Sequence, residues 1–274
     1  MEVLLVAVAG GVLIIAWILG APAIRRRRHA RIGAQRFPSA WLAILKDRMP
    51  VYRRLPMELR EQLHGLVLVF LADKTFVGRG GFEITEAVRV VVAAQACLLL
   101  LNRETTMFPL FRTILVYPST YAVDHQEEDG AGIVSAETQE RAGEAWERGP
   151  VILSWDDVEY GASNFEDGGN VVLHEFAHQL DFEIGGGDGA PLLSSAAAAA
   201  TWANVFQREY DRLLTDIEAG RETVLNPYGA TEPAEFFAVA TETFFEKPRE
   251  LAREHRELYA ALRGYYHVDP AGWT

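Results

Sequence analysis

Along most of the chain, apolar residues recur at spacings of three and four, the pattern of helices that bury one face. This pattern predicts helices at residues 39–48, 57–72, 85–101, 171–181, 194–219 and 233–246. Short β-branched stretches predict strands of a small sheet at residues 113–117, 133–135 and 151–155. The acidic segment between the first two strands, residues 124–132, is interpreted as a loop. The pattern therefore predicts an α+β domain that is mainly helical and contains a small mixed sheet.

The longest apolar run lies at the start of the chain. Residues 3–24 carry no charge, and as a helix they would be about 33 Å long, enough to cross a bilayer core of about 30 Å. Four arginines follow the run, whereas a cleavable signal peptide carries its positive charge before the apolar core. We therefore expect a transmembrane anchor at 1–24, a basic juxtamembrane segment and linker at 25–54, and the main domain at 55–274. The arginines predict a single-pass protein of the inner membrane with the main domain facing the cytoplasm.

Composition excludes some classes of function. The net charge of −12 argues against direct nucleic-acid binding, because contacts with phosphate require a basic surface. Cys97 is the only cysteine, so neither an intramolecular disulfide nor a thiolate metal site can form within the chain.

The predicted helix at 171–181 carries His174, Glu175 and His178 in the order H-E-x-x-H. A spacing of four places both imidazoles on one helix face, where both can bind the same metal ion. Glu175 would project beside that ion and could deprotonate a water molecule. The alternative is a buried helix that carries two histidines by chance. A third ligand would distinguish these interpretations.

A catalytic zinc site needs a third protein ligand and an open position for water. Residues 179–185 contain no histidine, so we expect a carboxylate from another helix. The predicted helix at 233–246 offers Glu235 and Glu242, which are two turns apart on nearly the same face. A buried carboxylate needs a positive partner. One of the two could bind the metal while the other supports a ligand histidine.

Two motifs carry a family resemblance: H-E-F-A-H-Q-L-D at 174–181 and N-P-Y-G-A-T-E-P-A-E-F-F-A-V-A-T-E-T-F-F at 226–245. Together they resemble the MtfA family of zinc peptidases, and part of the second resembles the metallopeptidase domain of the bacterial toxin lethal factor. The resemblance implies a gluzincin-like fold and one Zn2+ per chain held by His174, His178 and Glu235. It further implies aminopeptidase-like activity on a peptide or protein substrate. For the founding member it implies binding to the transcriptional repressor Mlc.

In such a peptidase, Glu175 is expected to act as the general base toward a zinc-activated water. Tyr228 is the expected hydrogen-bond donor to the oxyanion. The alternative role of this residue is that of a core tyrosine that follows a proline turn. Asp181 could orient an imidazole or form a salt bridge or helix cap. His267 could be a second donor or a surface residue.

A different class of function stays open. The chain could be a regulatory binding protein that sequesters a transcriptional repressor, with weak or no catalysis. A binding module has no need of Glu175, so substitution of this residue discriminates between the two functions.

Overall fold

The computed structural model describes residues 20–103, 107–119, 121–128, 134–141, 143–144, 149–184 and 186–273. The helices are α1 (20–33), α2 (Ser39–Arg48), α3 (Pro50–Arg54), α4 (Met57–Asp73), α5 (Glu86–Leu98), α6 (Trp155–Ser163), α7 (Val171–Asp181), α8 (Ala196–Glu218), α9 (Pro233–Glu246), α10 (Pro248–Glu254) and α11 (Arg256–Tyr266). The strands are β1 (Thr75–Gly78), β2 (Thr113–Tyr117), β3 (Tyr121–Glu128), β4 (Val134–Arg141), β5 (Gly143–Glu144) and β6 (Val151–Ser154). The prediction of a mainly helical α+β protein is confirmed.

Local sequence explains where several helices begin and end. The side chains of Thr85, Ser154, Asn170 and Ser195 accept hydrogen bonds from the first turns of α5, α6, α7 and α8. Helices α3, α9 and α10 have proline in the first turn, where the missing N–H costs nothing. The chain leaves α8 through Gly220, whose φ of 63° is the left-handed conformation typical of a helix end.

The main sheet has the strand order β1-β2-β6-β5. Strands β1, β2 and β6 are parallel, and β5 pairs antiparallel with β6 at the edge. The small mixed sheet is therefore confirmed. The predicted loop at 124–132 is wrong over its first part, because β3 and β4 pair as an antiparallel hairpin with Asp124 opposite Thr138. Residues 129–133 lie outside the described part of the chain.

Helix α5 lies at the centre of the core, and nearly all of its residues are buried. It packs against α2, α4, α6 and α7. One face of α7 points into this core, where the ring of Phe176 lies 4.9 to 5.7 Å from those of Phe70, Phe108 and Phe111. Burying one such side chain stabilises the fold by about 1.5–3 kcal/mol. The core therefore fixes the rotation of α7 and turns its histidine face toward α9.

The predicted membrane anchor and single-pass membrane location need correction. No helix in the part of the chain that the structure describes is both long and apolar enough to cross a membrane. The physical reason is the composition of α1, in which exposed arginines follow closely on Ile24. Arg28 of this helix donates a hydrogen bond of 2.5 Å to Asp73 at the end of α4. The predicted anchor falls largely on residues 1–19, which are outside the described residues.

Helices α2 and α3 belong to the segment predicted as a linker. Together with Met49, which lies between them, they contribute Leu45 and Val51 to the core, and each of these three residues is at most 1% exposed. The domain boundary at residue 55 stays a prediction.

Candidate metal centre

Helices α7 and α9 pack against each other and form the framework of the site. Both begin and end at the residues predicted from the sequence. Asn170 caps α7, because its Oδ1 accepts a hydrogen bond of 3.0 Å from the backbone N–H of Leu173. Helix α7 presents His174 and His178 to the first turn of α9, which carries Glu235.

Three candidate ligand atoms meet between the helices. The Nε2 atoms of His174 and His178 are 3.2 Å apart. Glu235 completes the cluster, with Oε2 at 2.9 Å from Nε2 of His174 and Oε1 at 3.6 Å from Nε2 of His178. The structure therefore brings together the three residues that the resemblance implied as metal ligands.

The three distances are close to the separation between two ligand atoms of a tetrahedral metal ion. Zinc binds imidazole nitrogen and carboxylate oxygen at about 2.0–2.2 Å, so two ligand atoms of one tetrahedral ion lie roughly 3.3 Å apart. The observed separations of 2.9 to 3.6 Å bracket this value. The side chains of His174 and Glu235 are 14% and 15% exposed, which leaves an opening for a further ligand.

The charges in the cluster are strongly coupled. Burial lowers the pKa of His174, but the neighbouring carboxylates of Glu242 and Glu235 outweigh burial and hold it well above its usual value. Burial raises the pKa of Glu235, but hydrogen bonds from both histidines outweigh this and hold it below its usual value. A metal ion needs neutral imidazoles and an ionised carboxylate as ligands, so binding of a divalent cation at this site would release any proton that the cluster holds.

Glu242 supports the cluster from behind. Its Oε1 lies 2.7 Å from Nδ1 of His174, which directs Nε2 of the same ring toward Glu235. The other oxygen accepts a hydrogen bond from the backbone N–H of Asn170, the cap of α7. Of the two carboxylates left open by the sequence, Glu235 therefore faces both histidines and Glu242 orients one of them.

Glu246 extends this support by one helical turn, and sequence reasoning missed it. Its Oε2 accepts hydrogen bonds of 2.9 and 3.1 Å from the backbone N–H groups of Gly168 and Gly169, and its Oε1 accepts one of 3.1 Å from Nδ2 of Asn170. Burial raises the pKa of Glu246 to about 8. The i, i+7, i+11 spacing of Glu235, Glu242 and Glu246 on one face of α9 could have indicated this role.

Glu175 and Tyr228 lie beside the cluster. Glu175 is 5% exposed, and its charge contributes to the raised pKa of His174. Tyr228 belongs to a short 3-10 helix, Pro227–Ala230, and its ring centroid lies 6.0 Å from that of His174. At 54% exposure Tyr228 is not a core residue, so the alternative interpretation of this tyrosine is wrong.

Two further predicted positions lie elsewhere. Asp181 accepts a hydrogen bond of 2.7 Å from the backbone N–H of Gly189, so it anchors the loop that follows α7. Gly189 is required there, since a Cβ atom would lie 2.4 Å from the carbonyl oxygen of Pro233. His267 is exposed at the end of α11, where its carbonyl oxygen accepts a hydrogen bond from Asn102.

Two histidines and one glutamate, presented by packed helices with an opening to solvent, form the kind of site that defines the metallopeptidase class. The comparisons with known proteins agree with this class. Residues 23–267 match the family model described as glucose-regulated metallo-peptidase M90. The chain belongs to this family, which includes the Mlc titration factor A proteins.

Individual relatives cover most of the chain. An uncharacterized protein of Synechocystis sp. is 42% identical over 94% of this chain and 94% of its own length. Mlc titration factor A of Cronobacter sakazakii is 32% identical over 85% of this chain and 87% of its own length. The same factor from Salmonella gallinarum is 30% identical over 81% of this chain and 84% of its own.

Proposed function

We propose that this protein is a zinc-dependent peptidase of the gluzincin type with aminopeptidase-like activity. The observation that carries the proposal is the cluster of His174 Nε2, His178 Nε2 and the carboxylate of Glu235, whose two oxygens lie 2.9 Å from the first nitrogen and 3.6 Å from the second. Two neutral imidazoles and one carboxylate are the protein ligands of many catalytic zinc sites. The main domain proposed for this activity is residues 55–274.

In this proposal His174, His178 and Glu235 hold one zinc ion. When bound, zinc supplies a Lewis acid that makes water more acidic and polarises the carbonyl of the scissile bond. Glu242 fixes the ring of His174 through Nδ1, so that Nε2 of this histidine is aimed at the ligand position.

Glu175 transfers the proton, and Tyr228 stabilises the negative charge that develops on the substrate. The carboxylate of Glu175 takes a proton from the attacking water and passes it to the leaving amine. The phenol of Tyr228 is a neutral donor at neutral pH, and it donates a hydrogen bond to the carbonyl oxygen as negative charge develops there. Its position at the exposed edge of the site allows the ring to turn toward a bound substrate.

Substitution of the proposed base tests the proposal. Glu175→Gln should lower kcat by about 10²–10⁴-fold, because proton transfer is lost while shape is kept. Zinc content should stay at one ion per chain, measured by elemental analysis of protein purified without chelator. Glu257→Gln is a matched control on the exposed face of α11, and it should leave both quantities unchanged. Equal activity of the wild type and Glu175→Gln would refute the proposed role of Glu175.

The type of cleavage is tested with two sets of substrates. One set consists of aminoacyl aminomethylcoumarins with a free amino terminus, and the other of internally quenched peptides blocked at both ends. Aminopeptidase-like action predicts turnover of the first set and at least tenfold slower turnover of the second. Faster cleavage of the blocked peptides would show endopeptidase action instead.

A second candidate function is regulatory binding of a transcriptional repressor with weak or no catalysis. The observation that favours it is the name of the relatives, Mlc titration factor A. Titration of purified Mlc against this chain, followed by calorimetry, tests it. Binding that persists in Glu175→Gln, with no hydrolysis of either substrate set by the wild type, would support this function over the peptidase.

A further inference from the structure

The loop that follows α7 lies between the end of α7 and the start of α9, next to the candidate metal ligands. Asp181, the last residue of α7, follows His178 by three positions, and Pro233, the first residue of α9, precedes Glu235 by two. Gly189 of the loop is buried, and it contacts both of these helix ends.

On one side, two buried side chains hold the backbone of Gly189. Its N–H donates a hydrogen bond of 2.7 Å to Oδ2 of Asp181, and its carbonyl oxygen accepts one of 3.0 Å from Nε1 of Trp202 on α8. Asp181 is 0% exposed and Trp202 is 4% exposed. Burial raises the pKa of Asp181, and the hydrogen bond from Gly189 opposes this shift. Hydrogen bonds shielded from water are electrostatically stronger, so these two contacts fix the position of Gly189.

On the other side, Gly189 touches the first turn of α9. Its φ is 82°, and a Cβ atom would lie 2.4 Å from the carbonyl oxygen of Pro233 and 3.5 Å from the backbone nitrogen of Ala234. Only a residue without a side chain allows this approach. The peptide group in contact lies directly before Ala234 and Glu235. A change in the position of Gly189 would therefore shift the start of α9, and Glu235 with it.

The same loop also contacts the residue that follows Asp181. A Cβ atom at Gly187 would lie 2.7 Å from Cε1 of Phe182, so the loop backbone touches this ring. The centroid of the Phe182 ring lies 6.2 Å from that of the imidazole of His178, and the two planes are 21° apart. One short loop thus contacts neighbours of His178 on one side and neighbours of Glu235 on the other.

We propose that residues 186–189 form a spacer that sets the separation of His178 and Glu235, with Asp181 and Trp202 as its positioning residues. This role rests on the proposed function, because it presupposes the zinc site. Metal ligands need to be held within about 0.5 Å of their productive positions. A shift of the first turn of α9 should therefore weaken zinc binding, although none of the spacer residues is a proposed ligand.

The main test is Gly189→Ala in the full-length protein. The added Cβ atom meets the carbonyl oxygen of Pro233, so the substitution should displace the start of α9 and lower the affinity for zinc about 10–100-fold. Competition with a fluorescent chelator measures this affinity. Gly220→Ala is the matched control, because Gly220 also has a positive φ, of 63°, but a Cβ atom there meets no atom within 4 Å. It should lower stability through backbone strain and leave the affinity for zinc within about twofold of wild type.

The positioning residues give an independent test. Asp181→Ala removes the acceptor of the Gly189 N–H and should lower the affinity for zinc about tenfold. Asp181→Asn keeps a side-chain oxygen in the same place and should restore the affinity to within about threefold of wild type. Trp202→Phe removes the donor to the Gly189 carbonyl while it keeps an aromatic ring, and it should weaken zinc binding about threefold to tenfold. Thermal unfolding shows whether each variant is folded.

Cobalt(II) in place of zinc gives a readout that a loss of stability alone does not change. Its visible absorption depends on the arrangement of the ligands, so the bands should shift or weaken in Gly189→Ala and Asp181→Ala and stay unchanged in Gly220→Ala. If Gly189→Ala does not fold, the comparison of Asp181→Ala with Asp181→Asn decides.

Zinc affinity and a cobalt spectrum equal to those of the wild type in folded Gly189→Ala or Asp181→Ala would overturn the spacer role alone. A wild type that binds no zinc would instead refute the proposed metal site, and the spacer role with it.

Discussion

The candidate metal centre has an exposed side and a buried side, and glutamates of α9 lie on both sides. Glu235 and Tyr228 lie on the exposed side, with 15% of the Glu235 side chain and 54% of Tyr228 accessible. Glu242 and Glu246 lie on the buried side, at 6% and 5% exposure. The buried glutamates accept hydrogen bonds from backbone N–H groups just before α7, and Glu242 also contacts Nδ1 of His174. Glu235 instead faces Nε2 of both imidazoles. Position on α9 therefore decides whether a glutamate faces the candidate ligand atoms or supports them from behind.

The largest expected effect comes from Glu235→Ala on the exposed side. Without this ligand, the bound zinc should fall from about one ion per chain toward zero, and peptidase activity should be lost. Elemental analysis of protein purified without chelator measures this. Glu232→Ala is the control, because Glu232 is exposed at the start of the same helix and its side chain caps no backbone N–H. Zinc retained in Glu235→Ala would remove Glu235 from the ligand set.

Tyr228→Phe should have the next largest effect. Loss of one oxyanion donor lowers kcat by about 10²–10³-fold. Zinc content should not change, because Tyr228 is not one of the three proposed ligands. Steady-state kinetics with the coumarin substrates give the value. Tyr160→Phe alters an equally exposed tyrosine on α6, and a similar loss of kcat in this control would contradict the specific role of Tyr228.

On the buried side, Glu242→Gln should weaken zinc binding by about 10–100-fold, because the carboxylate no longer orients His174. Competition with a fluorescent chelator measures the affinity. Glu209→Gln is a matched control, since Glu209 Oε2 forms a similar contact of 2.8 Å with Nδ1 of His255 away from the metal centre. It should change stability but leave the affinity for zinc within about twofold of wild type. Equal zinc affinity of Glu242→Gln and wild type would contradict the supporting role of Glu242.

Glu246→Gln should have the smallest effect on the metal centre and act on stability instead. Burial raises the pKa of Glu246 from 4.5 to about 8, Asn170 opposes the shift, and the charges of Glu242 and Asp167 add to it. Since the folded pKa is the higher one, its contribution is fully present below pH 4.5 and is lost as the pH rises toward 8. Between pH 4.5 and pH 8, the free energy of unfolding should therefore fall by at most about 4 kcal/mol more in the wild type than in Glu246→Gln.

Urea denaturation at pH 5 and pH 8 compares the two proteins, and the difference between them isolates Glu246 from other titrating groups. Identical pH dependence of wild type and Glu246→Gln would show that the carboxyl keeps its ordinary pKa in the folded protein.

The sequence alone determined much of the framework. Helices α2, α7 and α9 follow from apolar spacing, capping and proline at the first turn, which act within a few residues. The i, i+4 geometry of one helix likewise places His174 and His178 together. Local pattern was a poor guide where a strand is acidic, since Asp124 lies within β3 although the segment reads as a loop. The local pattern also predicted a membrane anchor at residues 1–24, a prediction that needed correction. This apolar run is followed by the arginines of α1.

Only the tertiary structure shows which carboxylate meets the histidines. Glu235 and Glu242 lie on one face of α9, and spacing alone treats them alike because their separation is two turns, although the family resemblance implied Glu235. The packing of α9 against α7 brings the first turn of α9 to both imidazoles and the next turns to the cap at Asn170. The same packing leaves Tyr228 exposed and buries Glu246. These contacts join residues more than fifty positions apart, so their geometry depends on how two helices cross and not on the sequence within either one.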